Sequence, residues 1–334
     1  MVEKVNIELL LVRKLAEDYL KSKITDLIEL TGDASSRKYY RFLHSGKSYV
    51  ACLASPFQSE RDSDFYVIQK LMDSSGIKVP QIFSLKPNEG FYLEEDLGDS
   101  TLVSYLGSDV DKNVSIEKYK SILDILIKLQ SVPTSETIVG ARSFDQKKFD
   151  EESSLSIKYF LSSYLKASEE DICNKLFQDE ISHMNKTLGE NPLKVFSHRD
   201  LHSRNIMVKD EDLYLIDFQD ARLGLPFYDL VSLLEDCYYP LKQEDRAFLI
   251  KYYKNKSPLT KNMSDKDFEY WYNMSAIQRL FKALGSFTYI NATRGDDRYL
   301  KYVGVGVGRL LSFLEKESSL PNFYQLIKKT YHEN

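Results

Sequence analysis

The stretch FSHRDLHSRNIMVKDEDLYLIDFQD, residues 196–220, decides how the rest of the chain is interpreted. It places two histidines, two arginines and six carboxylates between short apolar runs. The runs LKVFSH, NIMV and LYLID have the length and the β-branched or aromatic content of short buried strands. We predict that NIMV pairs with LYLID, so that the charged residues at the ends of these strands come together.

Up to about residue 95, the pattern is that of a small antiparallel sheet. KYYRFL and SYVACLA are aromatic and β-branched runs joined by HSGK, which predicts a hairpin with its turn at Ser45-Gly46. A helix follows, with a serine cap predicted at Ser59 and a stop at Gly76. Two further strands, QIFSL and GFYLEEDLG, complete this part.

From about residue 100 onward, long helical periods dominate, as in SIEKYKSILDILIKLQSV, EESSLSIKYFLSSYL and EEDICNKLFQDEISHMNKTLG. We therefore predict an α+β fold in two lobes. The N-terminal lobe, 1–97, is a small antiparallel β lobe with one main helix, and the larger helical lobe, 98–334, contains residues 196–220. No long linker separates the lobes, so we expect a ligand cleft near residues 96–99.

Charge and cysteine content exclude some classes of protein. The 334 residues carry 45 Lys and Arg against 50 Asp and Glu, and this net charge of -5 argues against a general binder of nucleic acid or anionic membranes. Cys52, Cys173 and Cys237 form no C-x-x-C pair, which is typical of a cytoplasmic protein. The N-terminal segment has an uninterrupted apolar run only at 9–12, too short for a signal peptide or a membrane span, and we predict an amphipathic helix there.

The opening stretch contains a complete motif. HRDL (198–201), three residues and then Asn205 match the H-R-D-L-x-x-x-N catalytic loop of kinases, a spacing that chance would produce in roughly one such chain in ten thousand. The strand LYLI then delivers Asp217-Phe218, where kinases have Asp-Phe-Gly. Phosphoryl transfer from ATP needs a carboxylate to take the acceptor's proton, which predicts Asp200 as the base. It also needs hard oxygen ligands for Mg²⁺, which predicts Asn205 and Asp217.

Each of these residues also has a purely structural interpretation, because isolated Asp and Asn near turns usually form caps or Asx-turns. Their joint spacing favours catalysis. We expect His198 to be a structural residue that holds the loop by hydrogen bonding. His198 and His202 have i, i+4 spacing but lack the Glu of H-E-x-x-H, which disfavours a zinc site.

Several stretches resemble the aminoglycoside phosphotransferase and choline kinase-like superfamily, and most closely its bacterial anomeric kinases of N-acetylmuramate and N-acetylglucosamine. The resemblance implies a protein-kinase-like fold and spans almost the whole chain. HRDLHSRN and IDFQDA followed by YDLVSLL are its specific parts. The matching stretches are TGDASSRKYYR, VPQIF, GFYLEEDLGDSTL, FSHRDLHSRNIMV, LIDFQDARLGLPFYDLVSLLEDCYYP and AIQRLFKALGSFTYI.

The resemblance also implies roles for other residues. Asp217 and Asp229 are separated by only eleven residues, too few for the activation loop of a protein kinase, and Asp229 would tether the catalytic loop. An ordinary N-terminal helix Asp is the alternative for Asp229. Glu94 and Asp96 would lie in the hinge that presents backbone groups to adenine, and the loop 32–36, with Ser35, would cover the phosphates.

One expected residue is missing. The kinase pattern V-A-I-K would place a phosphate-pairing lysine at the end of VACL (50–53), where the chain has Leu53. Arg37 and Arg41, like Lys38, lie on the neighbouring strand and are candidates to replace it, with Glu60 or Asp64 orienting the substitute. That these are solvent-facing hairpin charges is an equally good interpretation.

In this branch the acceptor is the anomeric hydroxyl of an amino sugar, and the product is a sugar 1-phosphate for cell-wall recycling. Such a hydroxyl is more acidic than an ordinary alcohol, so an Asp200 with an unshifted pKa would suffice. Arg204 is placed to pair a lactyl carboxylate or to anchor the loop. The candidates for acceptor binding are Asp150, His202, Arg204, Gln278 and Arg279.

Alternatives stay open. The acceptor is a small molecule, but an aminoglycoside or a choline-like amine would fit the same motifs, the latter through an aromatic cage. The missing lysine favours a pseudokinase that binds nucleotide without turnover, whereas the intact Asp200, Asn205 and Asp217 favour an enzyme.

Overall fold

The computed structural model describes residues 7–30, 37–107 and 110–333. The chain divides into two compact units. The first comprises Met1–Ser100 and Met207–Gln219, and the second Thr101–Ile206 and Asp220–Asn334. The hairpin that carries Asp217 thus groups with the first unit, which the sequence does not indicate.

The first unit is built on a five-stranded antiparallel sheet of order β1-β2-β3-β5-β4. A separate two-stranded sheet joins β7 to β8, as predicted for NIMV and LYLID. The elements are α1 (Ile7–Leu20), β1 (Ile28–Leu30), β2 (Lys38–His44), β3 (Lys47–Leu53), α2 (Asp64–Ser74), β4 (Ile82–Lys86), β5 (Phe91–Glu95), β7 (Ile206–Lys209) and β8 (Asp212–Leu215).

The predicted hairpin is confirmed. Ser45 and Gly46 both have positive φ, 50° and 77°, which is what a two-residue turn between right-twisted strands requires. β2 and β3 pair in register from Lys38↔Leu53 to His44↔Lys47.

Side chains alternate between the two faces of the large sheet. One face packs on α1 and forms a hydrophobic core with Tyr40, Phe42, Ala51, Phe91 and Leu93 against Val12, Leu15 and Ala16. The opposite face, called here the polar face of the sheet, carries Tyr39 and Arg41 on β2, Val50 and Cys52 on β3, and Tyr92 and Glu94 on β5.

The start of α2 differs from the sequence prediction. Ser63 caps the helix by accepting a hydrogen bond from Tyr66 N at 3.1 Å. Ser59 instead caps a short 3-10 turn at Glu60–Asp62. Two serines four residues apart both satisfy the cap pattern, and the sequence alone does not decide between them.

The second unit is helical, with a small sheet in which β6 pairs antiparallel with β9. The strand β9 was not predicted. The predicted helix over EEDICNKLFQDEISHMNKTLG is two helices, because the Asn174 side chain accepts from Leu176 N and Phe177 N and starts α7. The elements are α3 (Leu102–Leu106), α4 (Lys112–Gln130), α5 (Gln146–Ser156), a π-helical continuation (Ile157–Tyr164), α6 (Glu169–Ile172), α7 (Lys175–Glu190), β6 (Val195–Ser197), β9 (Arg222–Gly224), α8 (Pro226–Leu234), α9 (Gln243–Lys256), α10 (Asp265–Arg294), α11 (Val303–Leu314) and α12 (Pro321–Glu333).

The long helix α10 is the centre of this unit. It packs against α5 at Gly285, where an added Cβ would lie 2.3 Å from Ser156 Oγ and 2.6 Å from Ser156 Cα. No helix within the described ranges is long and apolar enough to cross a membrane. The antiparallel sheet of the first unit and the helices of the second confirm the predicted α+β class.

Candidate active site

The loop between β6 and β7 is hydrogen-bonded to α8. Asp229 is buried in the first turn of α8, and its two carboxylate oxygens accept hydrogen bonds from His198 N at 2.6 Å and Arg199 N at 3.0 Å. This is the geometry that a tether of the loop requires. Sequence reasoning missed a second such carboxylate, Asp236, which accepts from Ser203 N at 2.9 Å. Asp236 lies just past the end of α8 and its C-cap Glu235, where no motif spacing pointed to it.

His198 is completely buried, but neither of its ring nitrogens has a hydrogen-bond partner among the described residues. It is the backbone N–H of His198 that joins the loop to α8. The predicted role of the imidazole as a hydrogen-bonding scaffold therefore has no contact that supports it.

Arg199 adopts a left-handed backbone conformation, with φ 82°, next to the predicted base. Such a conformation costs a non-glycine residue about 1 kcal/mol or more and persists where neighbours fix it. The Arg199 guanidinium lies 3.1 Å from Asp220 and 3.7 Å from Glu152. These two carboxylates hold the side chain on one side of the loop.

Asp200 is half-buried and surrounded by cations. Its Oδ1 accepts from Lys282 Nζ at 2.6 Å and from Arg279 Nη2 at 3.2 Å, and its Oδ2 lies 3.9 Å from Arg199 Nε. Although burial opposes the effect, Lys282 and then the two arginines lower the pKa of Asp200 well below its usual range. An unshifted pKa would already suffice for the predicted base, and the lowering comes from Lys282 and Arg279, which are remote from Asp200 in sequence.

Asn205 closes the loop. Its Nδ2 donates to the Asp200 carbonyl at 2.9 Å, and its backbone N donates to the His202 carbonyl at 2.9 Å. The amide nitrogen is the donor in this contact, and the amide oxygen is the atom of Asn205 whose chemistry suits a cation.

A cavity of about 160 Å³ lies beside Asp200 in the second unit. Burial lowers the pKa of His202, at its edge, to about 3, so the imidazole is neutral. Of the residues predicted for acceptor binding, His202 and Arg279 line this cavity. The cavity is also lined by Asp200, Ser232, Asp236, Tyr238, Lys282, Ser286 and Phe287.

Arg204 lies against aromatic rings. Its guanidinium carbon is 5.1 Å from the centre of the Tyr238 ring and 5.2 Å from that of Tyr299, within the range of cation–π attraction. Tyr238 also packs edge to face on Tyr302 and His202. The rings of Tyr238 and Tyr299 beside the cavity are thus already in contact with a cation, the Arg204 guanidinium.

Two predicted acceptor residues make internal contacts. Gln278 is buried, and its Nε2 donates to Glu152 at 3.0 Å. Asp150 accepts from Asn185 Nδ2 at 2.8 Å. Neither residue lines the cavity, and their roles in acceptor binding stay predictions.

Asp217 belongs to the first unit and follows β8 with a positive φ of 63°. Its Oδ1 accepts from Gln219 Nε2 at 2.8 Å, and Gln219 Oε1 accepts from Arg37 Nη1 at 3.4 Å. The Arg37 guanidinium also lies 5.3 Å from the centre of the Phe65 ring, which stacks on Phe218 at 5.0 Å. Arg37 is therefore linked to Asp217 through one side chain.

On β3, Cys52 rather than Leu53 occupies the position that corresponds to the phosphate-pairing lysine of kinases. Leu53 packs against the α1 core, on the opposite side of β3 from the polar face of the sheet. Cys52 is on the polar face, where Arg37 acts on its thiol electrostatically. Choosing Leu53 was wrong, because side-chain alternation along β3 depends on a register that the motif did not fix.

Arg41, Asp96 and Asp99 form a cluster at the end of β5. Arg41 donates to Asp96 at 3.0 Å and to Asp99 at 2.9 Å, and Ser48 Oγ donates to Asp96 at 2.6 Å. Burial opposes the shift, but the hydrogen bonds from Ser48, Gly98 and Arg41 lower the pKa of Asp96. The Asp96 carbonyl accepts from Lys209 Nζ at 3.0 Å.

Glu94 is buried on the polar face of the sheet. Burial raises its pKa to about 7, against the opposing effect of Arg37. The loop 32–36, with the predicted nucleotide contact Ser35, lies outside the described residues.

Comparisons with known proteins extend over most of the chain. The family model described as "Phosphotransferase enzyme family" (APH) matches residues 26–260. Two relatives are both named N-acetylmuramate/N-acetylglucosamine kinase. The protein from Neisseria meningitidis serogroup B is 26% identical over 296 residues, 88% of this chain and 86% of the relative. The protein from Pseudomonas aeruginosa is 28% identical over 290 residues, 85% and 82% respectively.

Among solved structures, choline kinase LicA from Streptococcus pneumoniae has a TM-score of 0.62 at 15% identity, covering 91% of this chain and 99% of that one. This match confirms the predicted protein-kinase-like fold. The fold, the loop and the matches together define a phosphotransferase that acts on a hydroxyl acceptor. The chain belongs to the phosphotransferase enzyme family.

Proposed function

We propose that this phosphotransferase transfers the γ-phosphoryl group of ATP to the anomeric hydroxyl of N-acetylmuramate or N-acetylglucosamine. The product is the sugar 1-phosphate, which returns to cell-wall synthesis. The observation that carries this proposal is the similarity, over more than four fifths of both chains, to two relatives named for these acceptors.

The cavity beside Asp200 supports a sugar acceptor. Its hydroxyl, carboxylate and cationic groups are suited to hydrogen-bonding a polyhydroxylated ring, and Tyr238 and Phe287 supply apolar surface. A choline-like acceptor needs an open aromatic cage, whereas Tyr238 and Tyr299 already contact the guanidinium of Arg204. The sugar is therefore the better candidate.

In the proposed reaction, Asp200 accepts the proton of the anomeric hydroxyl while the oxygen of that hydroxyl attacks the γ-phosphorus. The bond from that phosphorus to the bridging oxygen of ADP breaks, and ADP leaves with the electron pair. Lys282 and Arg279 make Asp200 a weak base. A weak base suits a hemiacetal hydroxyl, which is more acidic than an ordinary alcohol.

The donors predicted for Mg²⁺ fit that ion, because Asn205 and Asp217 offer a neutral amide oxygen and a carboxylate oxygen. When bound, Mg²⁺ would neutralise charge on the β- and γ-phosphates. In the first unit, Arg37 would pair the phosphates, and its link to Asp217 through Gln219 supports this role. Arg41 is engaged by Asp96 and Asp99, and we assign it to the hinge.

The test is ADP release by the purified protein with Mg²⁺ and ATP, across N-acetylmuramate, N-acetylglucosamine, glucose, choline and an aminoglycoside. We expect turnover with the two amino sugars, and a product whose ³¹P NMR signal couples to the anomeric proton. The Asp200→Asn variant should lose about 10²- to 10⁴-fold in rate while still binding ATP.

Asp210→Asn is the matched control, because Asp210 is an exposed carboxylate in the β7–β8 turn. It should keep full activity. Turnover that depends on choline alone, phosphate on another hydroxyl, or no sugar-dependent ADP release would each contradict the proposed function.

A further inference from the structure

Two cations of α10 converge on the predicted base. Arg279 and Lys282 are three residues apart and therefore lie on the same face of the helix. Both donate to the same oxygen of Asp200, Lys282 Nζ at 2.6 Å and Arg279 Nη2 at 3.2 Å. Neither contact follows from the catalytic-loop motif, because both residues are about eighty positions downstream of Asp200.

The two cations differ in what else they bind. Arg279 is nearly buried, and its Nε also donates to Ser232 Oγ at 3.0 Å, so its guanidinium is fixed by two elements. For the Lys282 ammonium, Asp200 is the one hydrogen-bond partner in the part of the chain that the structure describes. An ammonium has three N–H donors, so Lys282 has two more to offer at the wall of the cavity.

We propose that Lys282 is a catalytic residue whose ammonium donates to the reacting hydroxyl oxygen of the acceptor and holds its developing negative charge. The inference rests on the proposed function. A hydroxyl that donates to Asp200 lies about 3 Å from the carboxylate. An ammonium bound to the same carboxylate then reaches the hydroxyl oxygen without leaving it.

The proton balance is simple. The hydroxyl proton moves to Asp200, the oxygen–phosphorus bond forms and ADP leaves, while Lys282 keeps all three of its protons. Lys282 thus acts as an oriented charge in a partly buried site, where such a donor is most effective.

Lys282 could contact either of two groups of the acceptor, the reacting hydroxyl or the lactyl carboxylate, and the two contacts have different consequences. The reacting hydroxyl is common to N-acetylmuramate and N-acetylglucosamine, whereas only N-acetylmuramate has a lactyl carboxylate. A contact to the hydroxyl must therefore affect both sugars equally.

The first experiment compares Lys282→Met with the wild type and with Lys266→Met, an exposed lysine on the same helix. We expect Lys282→Met to lower kcat/KM about 10²- to 10³-fold for both sugars, the usual effect of removing one such donor. The KM for ATP and the melting temperature should stay near the wild-type values. Lys266→Met should leave all of these unchanged.

Chemical rescue tests the charge itself. Lys282→Cys, made in a Cys173→Ser background because Cys173 is an exposed thiol, is treated with 2-bromoethylamine to rebuild an ammonium. Activity should return in this variant, and treatment of the Cys173→Ser protein should change nothing.

A double-mutant cycle separates catalysis from neutralisation of Asp200. If Lys282 only neutralised Asp200, Lys282→Met would not reduce the residual rate of Asp200→Asn any further. We expect a further loss of at least about tenfold.

Four results would overturn the Lys282 proposal: near wild-type turnover in Lys282→Met, a loss confined to N-acetylmuramate, no further loss in the double variant, or no rescue. A wild-type protein without sugar-dependent turnover would instead refute the proposed function, and the acceptor contact with it.

Discussion

At the scale of single residues, the polar face of the sheet has an arginine where kinases use a lysine. Arg37 enters this face from the residue before β2, next to Phe65 and linked to Asp217 through Gln219. The position on β3 from which a lysine would reach the same place is Cys52. We propose that Arg37, rather than a lysine on β3, supplies the cation on this face.

Exchanging these two positions tests that interpretation. Arg37→Ala should lower kcat/KM for ATP by about 10- to 100-fold, the effect of a lost charge-assisted hydrogen bond. Adding Cys52→Lys to Arg37→Ala should restore much of it. Lys38→Ala is the matched control, because Lys38 is the next residue in the chain but pairs with Glu8 of α1. An unchanged ATP KM in Arg37→Ala, or no gain in the double variant, would show that Arg37 does not pair the phosphates.

Glu94 makes stability depend on pH. Its folded pKa of about 7 exceeds the usual value for Glu, so the protonated carboxyl stabilises the folded state. That contribution is complete below pH 4.5 and is lost as the pH rises through 7, by up to about 3 kcal/mol. Urea unfolding at pH 5 and pH 8 should therefore show a larger loss for the wild type than for Glu94→Gln. Equal losses in the two proteins would mean that Glu94 is ionised in the folded state throughout.

At the scale of elements, α10 must approach α5 closely to bring Arg279 and Lys282 to Asp200. Gly285 permits this, since any Cβ there would overlap Ser156 of α5. The same helix holds Gln278 against Glu152, a carboxylate of α5. The contact at Gly285 thus helps to set the position of both cations.

Gly285→Ala should destabilise the protein by about 1 to 3 kcal/mol, because the backbone of Ser156 cannot move away cheaply. Thermal and urea unfolding measure this change. Gly308→Ala in α11 is the control, since a Cβ at Gly308 meets nothing within 4 Å. Alanine forms helices more readily than glycine, so Gly308→Ala should raise stability slightly. Similar effects of the two substitutions would mean that the α5–α10 contact is not tight.

At the scale of the whole molecule, the sequence predicted what depends on local pattern. The hairpin at Ser45-Gly46, the α+β class and the loop motif each depend on residues that are close in the chain. The contact between Lys282 and the predicted base Asp200 could not be predicted, because the two residues are 82 positions apart and no motif spacing connects them. The side of β3 that faces Asp217 could not be predicted either, since a shift of one residue exchanges Cys52 and Leu53.

The net charge of -5 is compatible with a polyphosphate substrate because the cations are concentrated locally. In the second unit, Arg199, Arg279 and Lys282 surround one carboxylate. In the first unit, Arg37 is linked through Gln219 to Asp217, a predicted metal ligand. The overall composition does not reveal either of these local groups of cations.

The thiol at Cys52 also affects how this enzyme would be detected in a cell extract. Reagents that capture kinases commonly carry ATP joined to an acylating group, and they mark the lysine next to the phosphates. On β2, β3 and β5 the polar face of the sheet has no lysine, and burial raises the pKa of the Cys52 thiol, which makes it a poor nucleophile. Proteome-wide surveys based on such reagents would therefore under-report this protein, and a guanidinium-reactive nucleotide analogue would be the appropriate probe.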